Sequence, residues 1–436
     1  MQVKYMEDEI SIVLQKNHIV SQDRYWAYPE NESFYKYSKD KVGVKIHLSA
    51  TVINYKTILK RFLKWNKKHR IGFKVCKSLK VLERLNQGLY GYSQTGKFIT
   101  LYPVQDTDYL NKVLVSLYKL FNDLYSVDIP SDVSFLSSGV VYIRYGEFVK
   151  NQTIFLDKRN GLIPDVAKEK IFALNFEKYY VMPKNLKIFK LIRKSSKGGV
   201  YLAWNSNLKK IVLLKEATKN ARMTLSGEDS VLSLYSEIQL LREISNDNYN
   251  FIPNYINSFW LENSLFLEEE YIEGETIDDI IRNDFKKVKL VLDYFRNLLL
   301  VVCKIHKFNN YIIHDVSPAN IIFSKNRFYL IDFETLSKSN EKLTTIYGTN
   351  GFVDSMYKSN DKTVDYYALA KVYYYLNNPD KYKELSTLSL KNKDVKTKNN
   401  LWLKRCIKHS YSNDEAWLED YDKYIGAKNE ISKNQF

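Results

Sequence analysis

Two hydrophobic rhythms run through the chain. From about residue 40 to 150, short alternating runs give way to helical spacing and back again. "KVGVKIHLSA" (41–50) alternates like a half-buried strand, and "GKFITLYPV" (96–104) and "GVVYIRYGEF" (139–148) are rich in β-branched and aromatic residues. "YKTILKRFLKWNKKH" (55–69) and "DYLNKVLVSLYKLFNDL" (108–124) carry apolar residues three and four apart, which predicts two amphipathic helices. The pattern weakens through "DKRNGLIPD" (157–165), read as linker from Lys150 to about Pro183. "IFKLIRKSSKGGVYLAWNSNLKKIVLLKEA" (188–217) then reads as three strands separated by turns. A helix is expected around Ser233–Ile244, a strand at "SLFLEEEYIEG" (264–274), and a largely helical remainder. The expectation is therefore α+β: a mixed α/β domain over 1–183, then a two-lobed domain over 184–436, strands first and helices after.

Length agrees, since 436 residues exceed what one core usually supports. A hydrophobic content of 45% predicts a folded chain rather than a disordered one. Net charge is +16, which suits an anionic partner, although much of the excess is Lys scattered among Asn and Tyr and reads equally as solvated surface. Cys76, Cys303 and Cys406 form no CxxC pair, which argues against a disulfide framework or a Cys-rich zinc site. The N-terminal "MQVKYMEDEISIVLQ" is acidic where a secretory signal is basic, and no run is apolar and long enough to span a bilayer; the expectation is a soluble, cytoplasmic protein without membrane contact.

Candidate chemistry appears in both halves. In the second, "HDVSPAN" (314–320) and "LIDFE" (330–334) supply Asp315, Asn320 and Asp332, hard oxygen ligands at a spacing that a turn cap alone does not explain. Gly198 and Gly199 lie in a turn between strand-like runs, where small residues let backbone N–H groups approach phosphate. Lys215 ends the next strand and Glu237 lies on the following helix as its ion-pair partner. Each alone is weak: two glycines usually make a hairpin and a strand Lys is usually surface. Their order is that of a phosphoryl-transfer site: Asp315 near the attacking hydroxyl, Asn320 and Asp332 on Mg²⁺, Lys215 on the phosphates of ATP or GTP. In the first half, Lys45 and His47 are two apart on a strand and share a face, while Lys74, Lys97 and Arg144 are cations inside apolar runs. Any one reads as a snorkelling side chain; together they favour an anion site. Such a set suits β-elimination of phosphate without metal, with a desolvated Lys as base and a protonated His as acid.

Residues from about 188 to 430 resemble a protein kinase domain, "YGTNGF" and "VDYYALA" matching the end of the activation segment and the helix whose Asp365 braces the catalytic loop. The chain departs from that pattern in three places: no Arg precedes Asp315, "DFE" replaces DFG with Glu334, and no APE follows Gly351. "HDVSPAN" is also similar to phosphotransferases acting on aminoglycosides, which leaves the acceptor open. "KIHLSA", "GFKVCKSL", "GKFITLYP" and "IRYGEF", in this order, resemble the N-terminal lyase domain of class III lanthipeptide synthetases, itself similar to effector phosphothreonine lyases of pathogenic bacteria. That resemblance covers about residues 20–180 and implies Lys74 as base, His47 as acid, Lys45 beside it, and Lys97 with Arg144 as phosphate and substrate binders.

The two resemblances together imply a bifunctional dehydratase. The kinase half phosphorylates Ser or Thr of a precursor peptide, and the lyase half eliminates the phosphate to dehydroalanine or dehydrobutyrine. The synthetases of this class continue into a cyclase domain; the chain stops soon after the kinase-like region, so cyclisation is expected from a truncated or separate cyclase. A small-molecule phosphotransferase and a nucleotide-binding pseudokinase scaffold are the alternatives. A nucleic-acid-binding module is disfavoured, as no interleaved Arg and aromatic motif is present.

Overall fold

Residues 10–147 apart from 22, 37 and 41, then 181–245, 250–341, 348–384 and 400–433, are described by the computed structural model. Alternation in the first half resolves into seven strands: β1 (Ile19–Ser21), β2 (Trp26–Pro29), β3 (Val42–Ser49), β4 (Phe73–Cys76), β5 (Lys97–Leu101), β6 (Val133–Ser134) and β7 (Val141–Glu147). They form one sheet in the order β1-β2-β4-β5-β3-β7-β6, and β3 is antiparallel to both β5 and β7. Three helices, α1 (Tyr55–His69), α2 (Leu79–Asn86) and α3 (Thr107–Phe121), follow the strands. Ile58, Leu59 and Phe62 of α1 and Leu110, Val113, Leu114 and Leu117 of α3 are buried, as the three-and-four spacing requires. Helix starts follow local chemistry: the side chains of Ser78 and Asp106 cap α2 and α3 by accepting from Val81 N–H and Tyr109 N–H. Phe62 meets Phe73 edge to face at 4.9 Å between ring centroids, joining α1 to the sheet. Helix α2 and strands β1 and β2 are too short to stand out in the hydrophobic pattern.

A second sheet of five strands has the order β11-β12-β10-β9-β8, built from β8 (Leu186–Ser195), β9 (Gly198–Asn205), β10 (Lys210–Thr218), β11 (Tyr255–Leu261) and β12 (Ser264–Glu270). Helix α4 (Ser230–Ser245) covers the expected helix at 233–244. The helical remainder comprises α5 (Ile277–Asn283), α6 (Phe285–Lys307), α7 (Thr363–Leu376), α8 (Pro379–Glu384), α9 (Leu401–Ile407) and α10 (Asp414–Lys433). Its core is strongly aromatic: Tyr366 stacks on Trp417 at 4.3 Å, and Tyr373 and Tyr421 pack edge to face on Trp402. By contacts the chain divides into two compact units. One is Met1–Lys210 with Leu214–Leu232 and Ser258–Leu267; the other is Ile211–Leu213, Ser233–Asn257 and Glu268–Phe436. Most of the second sheet is thus grouped with the first seven strands. The linker expected between Lys150 and Pro183 falls almost wholly outside the described residues. Among the described residues no helix is long and apolar enough to cross a membrane.

Candidate functional site

Register decides what the first sheet presents. Across β7, β3 and β5, Tyr142 lies opposite His47 and His47 opposite Thr100; Thr100 in turn lies opposite Lys74 on β4. Residues directly opposite in antiparallel strands project to the same face, so Tyr142, His47, Thr100 and Lys74 form one row. Two residues along, Lys45 lies opposite Arg144 and adds two cations to that face. The register shifts between Leu48 and Ser49, and this irregularity sets Lys97 opposite Ser49.

A residue without sequence signal ties part of this array together. Asp132 lies in "IPSDVSF" just before β6, its carboxylate fully enclosed. His47 Nδ1–H donates to its Oδ2 at 2.5 Å, Lys97 Nζ is 3.0 Å from its Oδ1, and Ser131 Oγ donates to Oδ1 at 2.8 Å. Burial pushes the Asp132 carboxyl up, but the neighbouring His47 and Lys97 outweigh it and hold it below the usual carboxylate range. A carboxylate only accepts, so the proton sits on His47 Nδ1 and the Nε2 lone pair is free of it in the neutral ring. Burial, aided by Lys97 and Lys45, brings the His47 pKa down to about 3 despite Asp132. The His47 ring is therefore neutral near pH 7, and the protonated His of the sequence reading is one held near phosphate, whose charge favours the imidazolium. Lys97, expected as a phosphate binder, is 3% exposed and paired with Asp132 rather than presented to solvent. Lys74 is partly exposed, its ammonium 4.2 Å from the centre of the Trp26 ring.

In the second half, a hairpin of Ile321–Ser324 and Arg327–Leu330 sets the spacing between Asn320 and Asp332. Asn320 Nδ2 donates to the Asp315 backbone oxygen and to Asp315 Oδ2, each at 3.0 Å, and Thr349 N–H donates to Asp315 Oδ1 at 2.7 Å. The loop is braced beneath: buried Asp365 accepts the N–H groups of Ile313 and His314 at 2.8 and 2.9 Å and the Nε2 side of His306 at 3.0 Å. His306 Nδ1 is 2.7 Å from Asp414 Oδ1, and these two carboxylates raise its pKa against the effect of burial. His314 and Asp332 adopt φ of 66° and 67°, left-handed conformations that non-glycine residues keep where the surroundings enforce them.

Carboxylate oxygens of Glu237, Asp332 and Glu334 lie within 4.8 Å of one another. Three such groups repel unless a cation lies among them, and hard oxygen donors are the set Mg²⁺ prefers. The donors therefore fit the divalent ion that the sequence implies; of the expected pair, Asp332 is in this group, with Glu237 and Glu334 beside it. Glu237, expected as the partner of Lys215, has its carboxylate in this group and accepts Phe333 N–H at 3.1 Å. Lys215 is buried on β10. Gly199 N–H does not face outward as the sequence suggests: it donates to Glu216 Oε2 at 3.0 Å, which Tyr201 also reaches at 2.8 Å. The two glycines answer to packing. A Cβ on Gly198, whose φ is +147°, would lie 2.2 Å from the Glu216 backbone oxygen, and one on Gly199 would lie 2.3 Å from the Tyr201 ring.

Comparison with known proteins adds to this geometry. Residues 10–183 match the family described as RamC, N-terminal domain, and residues 187–423 match the protein kinase domain. A probable SapB synthase of Streptomyces coelicolor is 24% identical over 75% of the chain, a match spanning 39% of that protein. The serine/threonine-protein kinase nekl-2 of Caenorhabditis elegans is 30% identical over 28% of the chain and 37% of its own length. Serine/threonine-protein kinase D of Synechocystis is 28% identical over 38% of the chain and 35% of its own length. The chain thus spans well under half the length of these relatives.

Proposed function

The chain belongs to the protein kinase family through residues 187–423, with a RamC-type N-terminal domain before it as in class III lanthipeptide synthetases, and from that premise we propose that it is a bifunctional peptide dehydratase. Residues 184–436 would phosphorylate Ser or Thr of a precursor peptide, and residues 1–183 would eliminate that phosphate.

The observation that carries the lyase reading is the row Tyr142, His47, Thr100 and Lys74 with Lys45 and Arg144 beside it: one face of one sheet bearing an imidazole and several cations. On it, a neutral Lys74 would take the α proton of the phosphorylated residue. The Cα–H electron pair becomes the new Cα=Cβ bond as the Cβ–O bond breaks, and Lys45 and Arg144 would carry the charge of the departing phosphate. With Nδ1 fixed by Asp132, His47 would offer Nε2 to that phosphate. It can pass a proton to the leaving oxygen once the phosphate dianion has favoured its protonation, or accept a hydrogen bond from a phosphate that arrives with its own proton. Lys97 would act through Asp132.

Protein kinase domains generally use ATP and Mg²⁺, and the same is proposed here, with GTP as the other candidate nucleotide. Asp315 would accept the substrate hydroxyl proton while its carboxylate is held by Asn320 and Thr349. Asn320, Asp332 and Glu334 would hold the cation, whose chemistry is to neutralise phosphate charge; Lys215 would hold the nucleotide phosphates beneath the turn at Gly198 and Gly199. The +16 net charge suits a precursor peptide with an acidic leader. Cyclisation would fall to a cyclase outside these two domains, and the cytoplasm, where nucleotide is supplied, is the proposed compartment.

Mass spectrometry of a Ser-rich precursor peptide after incubation with ATP and Mg²⁺ tests both half-reactions. Loss of water is expected with the parent chain, a retained phosphate with Lys74→Ala, and an unchanged peptide with Asp332→Ala. A stable phosphopeptide from the parent would refute the lyase half; water loss with Asp332→Ala would refute the kinase half.

A further inference from the structure

The kinase segments that flank the proposed nucleotide site are seated on the first domain. Ser196, at the tip of the β8–β9 turn, is 7% exposed. Its hydroxyl donates to the backbone oxygen of Gln87 at 3.0 Å and accepts from Arg222 Nε at 2.9 Å. Gln87 and Gly88 end helix α2, and Gly88 has φ of +78°. A Cβ there would stand 3.2 Å from both Cβ and Oγ of Ser196, so the turn rests against that backbone with no room for a side chain between. A second attachment follows β10: Asn220 Nδ2 donates to Ser126 O at 3.1 Å, and Met223 and Leu225 pack on the hydrophobic core of the first domain. Thr218 N–H donates to Lys197 O at 2.8 Å and joins the two attachments. The turn also borders a cavity of about 540 Å³, lined by Ser196 itself and by Asp128, Asp132, Tyr142, Gly198 and Glu216.

We propose that the first domain is the platform that positions the nucleotide-covering turn of the kinase, with Ser196 as the positioning residue. The inference rests on the reading of this turn as the one over the nucleotide. Kinase turns of this kind are lids that order as nucleotide binds. Ordering a loop opposes binding, so a tip already hydrogen-bonded and packed leaves less to order. Ser196 acts through the turn, and its removal should weaken ground-state binding of nucleotide more than it slows phosphoryl transfer.

The test uses the full chain carrying Ser196→Ala, Ser196→Thr or Gly88→Ala. Dissociation of a fluorescent ATP analogue and the KM and kcat of peptide phosphorylation are measured in Mg²⁺ buffer, and elimination is followed on a synthetic phosphoserine peptide. Ser196→Ala is expected to raise Kd and KM for nucleotide about five- to tenfold, as one or two hydrogen bonds at the tip are lost, with kcat within about twofold. Ser196→Thr keeps a hydroxyl and should recover most of the affinity, while Gly88→Ala, altered only in the first domain, should weaken nucleotide binding in the same direction. Elimination by Ser196→Ala should match the parent. Nucleotide affinity in Ser196→Ala within about twofold of the parent, or a loss confined to kcat, would overturn the proposal. If the parent transfers no phosphate, the kinase reading fails, and the direct binding measurement still decides this one.

Discussion

Asp132→Asn separates what holds the first domain together from what would turn it over. Asparagine keeps the shape but removes the negative charge that faces His47 at 2.5 Å and Lys97 at 3.0 Å, with all three side chains nearly or fully enclosed. Lys97 becomes a buried cation without its carboxylate partner, and breaking a buried pair in this way costs about 3–5 kcal/mol. For a domain of this size that is a fall of about 6–20 °C in melting temperature. His47 also loses the acceptor that fixes its tautomer, and the comparable Asp→Asn change behind the His of a Ser-His-Asp triad costs about 10⁴-fold in kcat. Thermal melts and elimination from a phosphoserine peptide read the two effects separately. The double variant Asp132→Asn, Lys97→Met distinguishes them: removing both charges should recover most of the stability while elimination stays low. Asp132→Asn melting within about 2 °C of the parent and eliminating at the parent rate would refute the reasoning.

The two halves should respond to pH in opposite directions. His47 has a folded pKa of about 3, below its ordinary 6.5, so the unfolded chain binds the extra proton first and the first unit loses stability as pH falls from 6.5 toward 3; melts of His47→Gln should be flatter over that range. His306 is raised instead, so its contribution is full below pH 6.5 and is lost as pH rises through the folded value; His306→Leu, leaving Asp365 and Asp414 buried without their imidazolium, should destabilise the second unit by about 3–5 kcal/mol near neutrality and remove that alkaline loss, as pH-dependent melts would show. Glu334→Gly, which restores the DFG pattern, removes one of three clustered carboxylates; titration of Mg²⁺ in the phosphorylation assay should show about a three- to tenfold rise in half-saturating metal if Glu334 is a ligand, and no shift if it is not. Gly198→Ala sets a Cβ 2.2 Å from the Glu216 backbone oxygen at a φ of +147°, and the displaced turn should weaken nucleotide binding by at least about tenfold in a fluorescent-analogue titration.

Periodicity alone carried the long elements: the apolar stripes of α1 and α3 and the alternation of β3 follow from burying one face, and each formed where its pattern lies. The order of Lys215, Asp315, Asn320 and Asp332 can also be read along the chain, and the roles proposed for them rest on that order. Asp132 was not legible, since a single acidic residue in a Ser- and Pro-containing loop has no period, and its meaning comes from side chains 85 and 35 positions earlier that only strand pairing brings to it. The same holds for Gly199, whose N–H is taken by a carboxylate on the next strand, and for Ser196, whose partner is a backbone oxygen 109 residues away. Sequence determines local conformation and the chemical inventory because both depend on near neighbours. Whether a cation meets solvent, as Lys74 partly does, or a buried carboxylate, as Lys97 does, depends on register and packing between distant segments, and those exist only once the chain has folded.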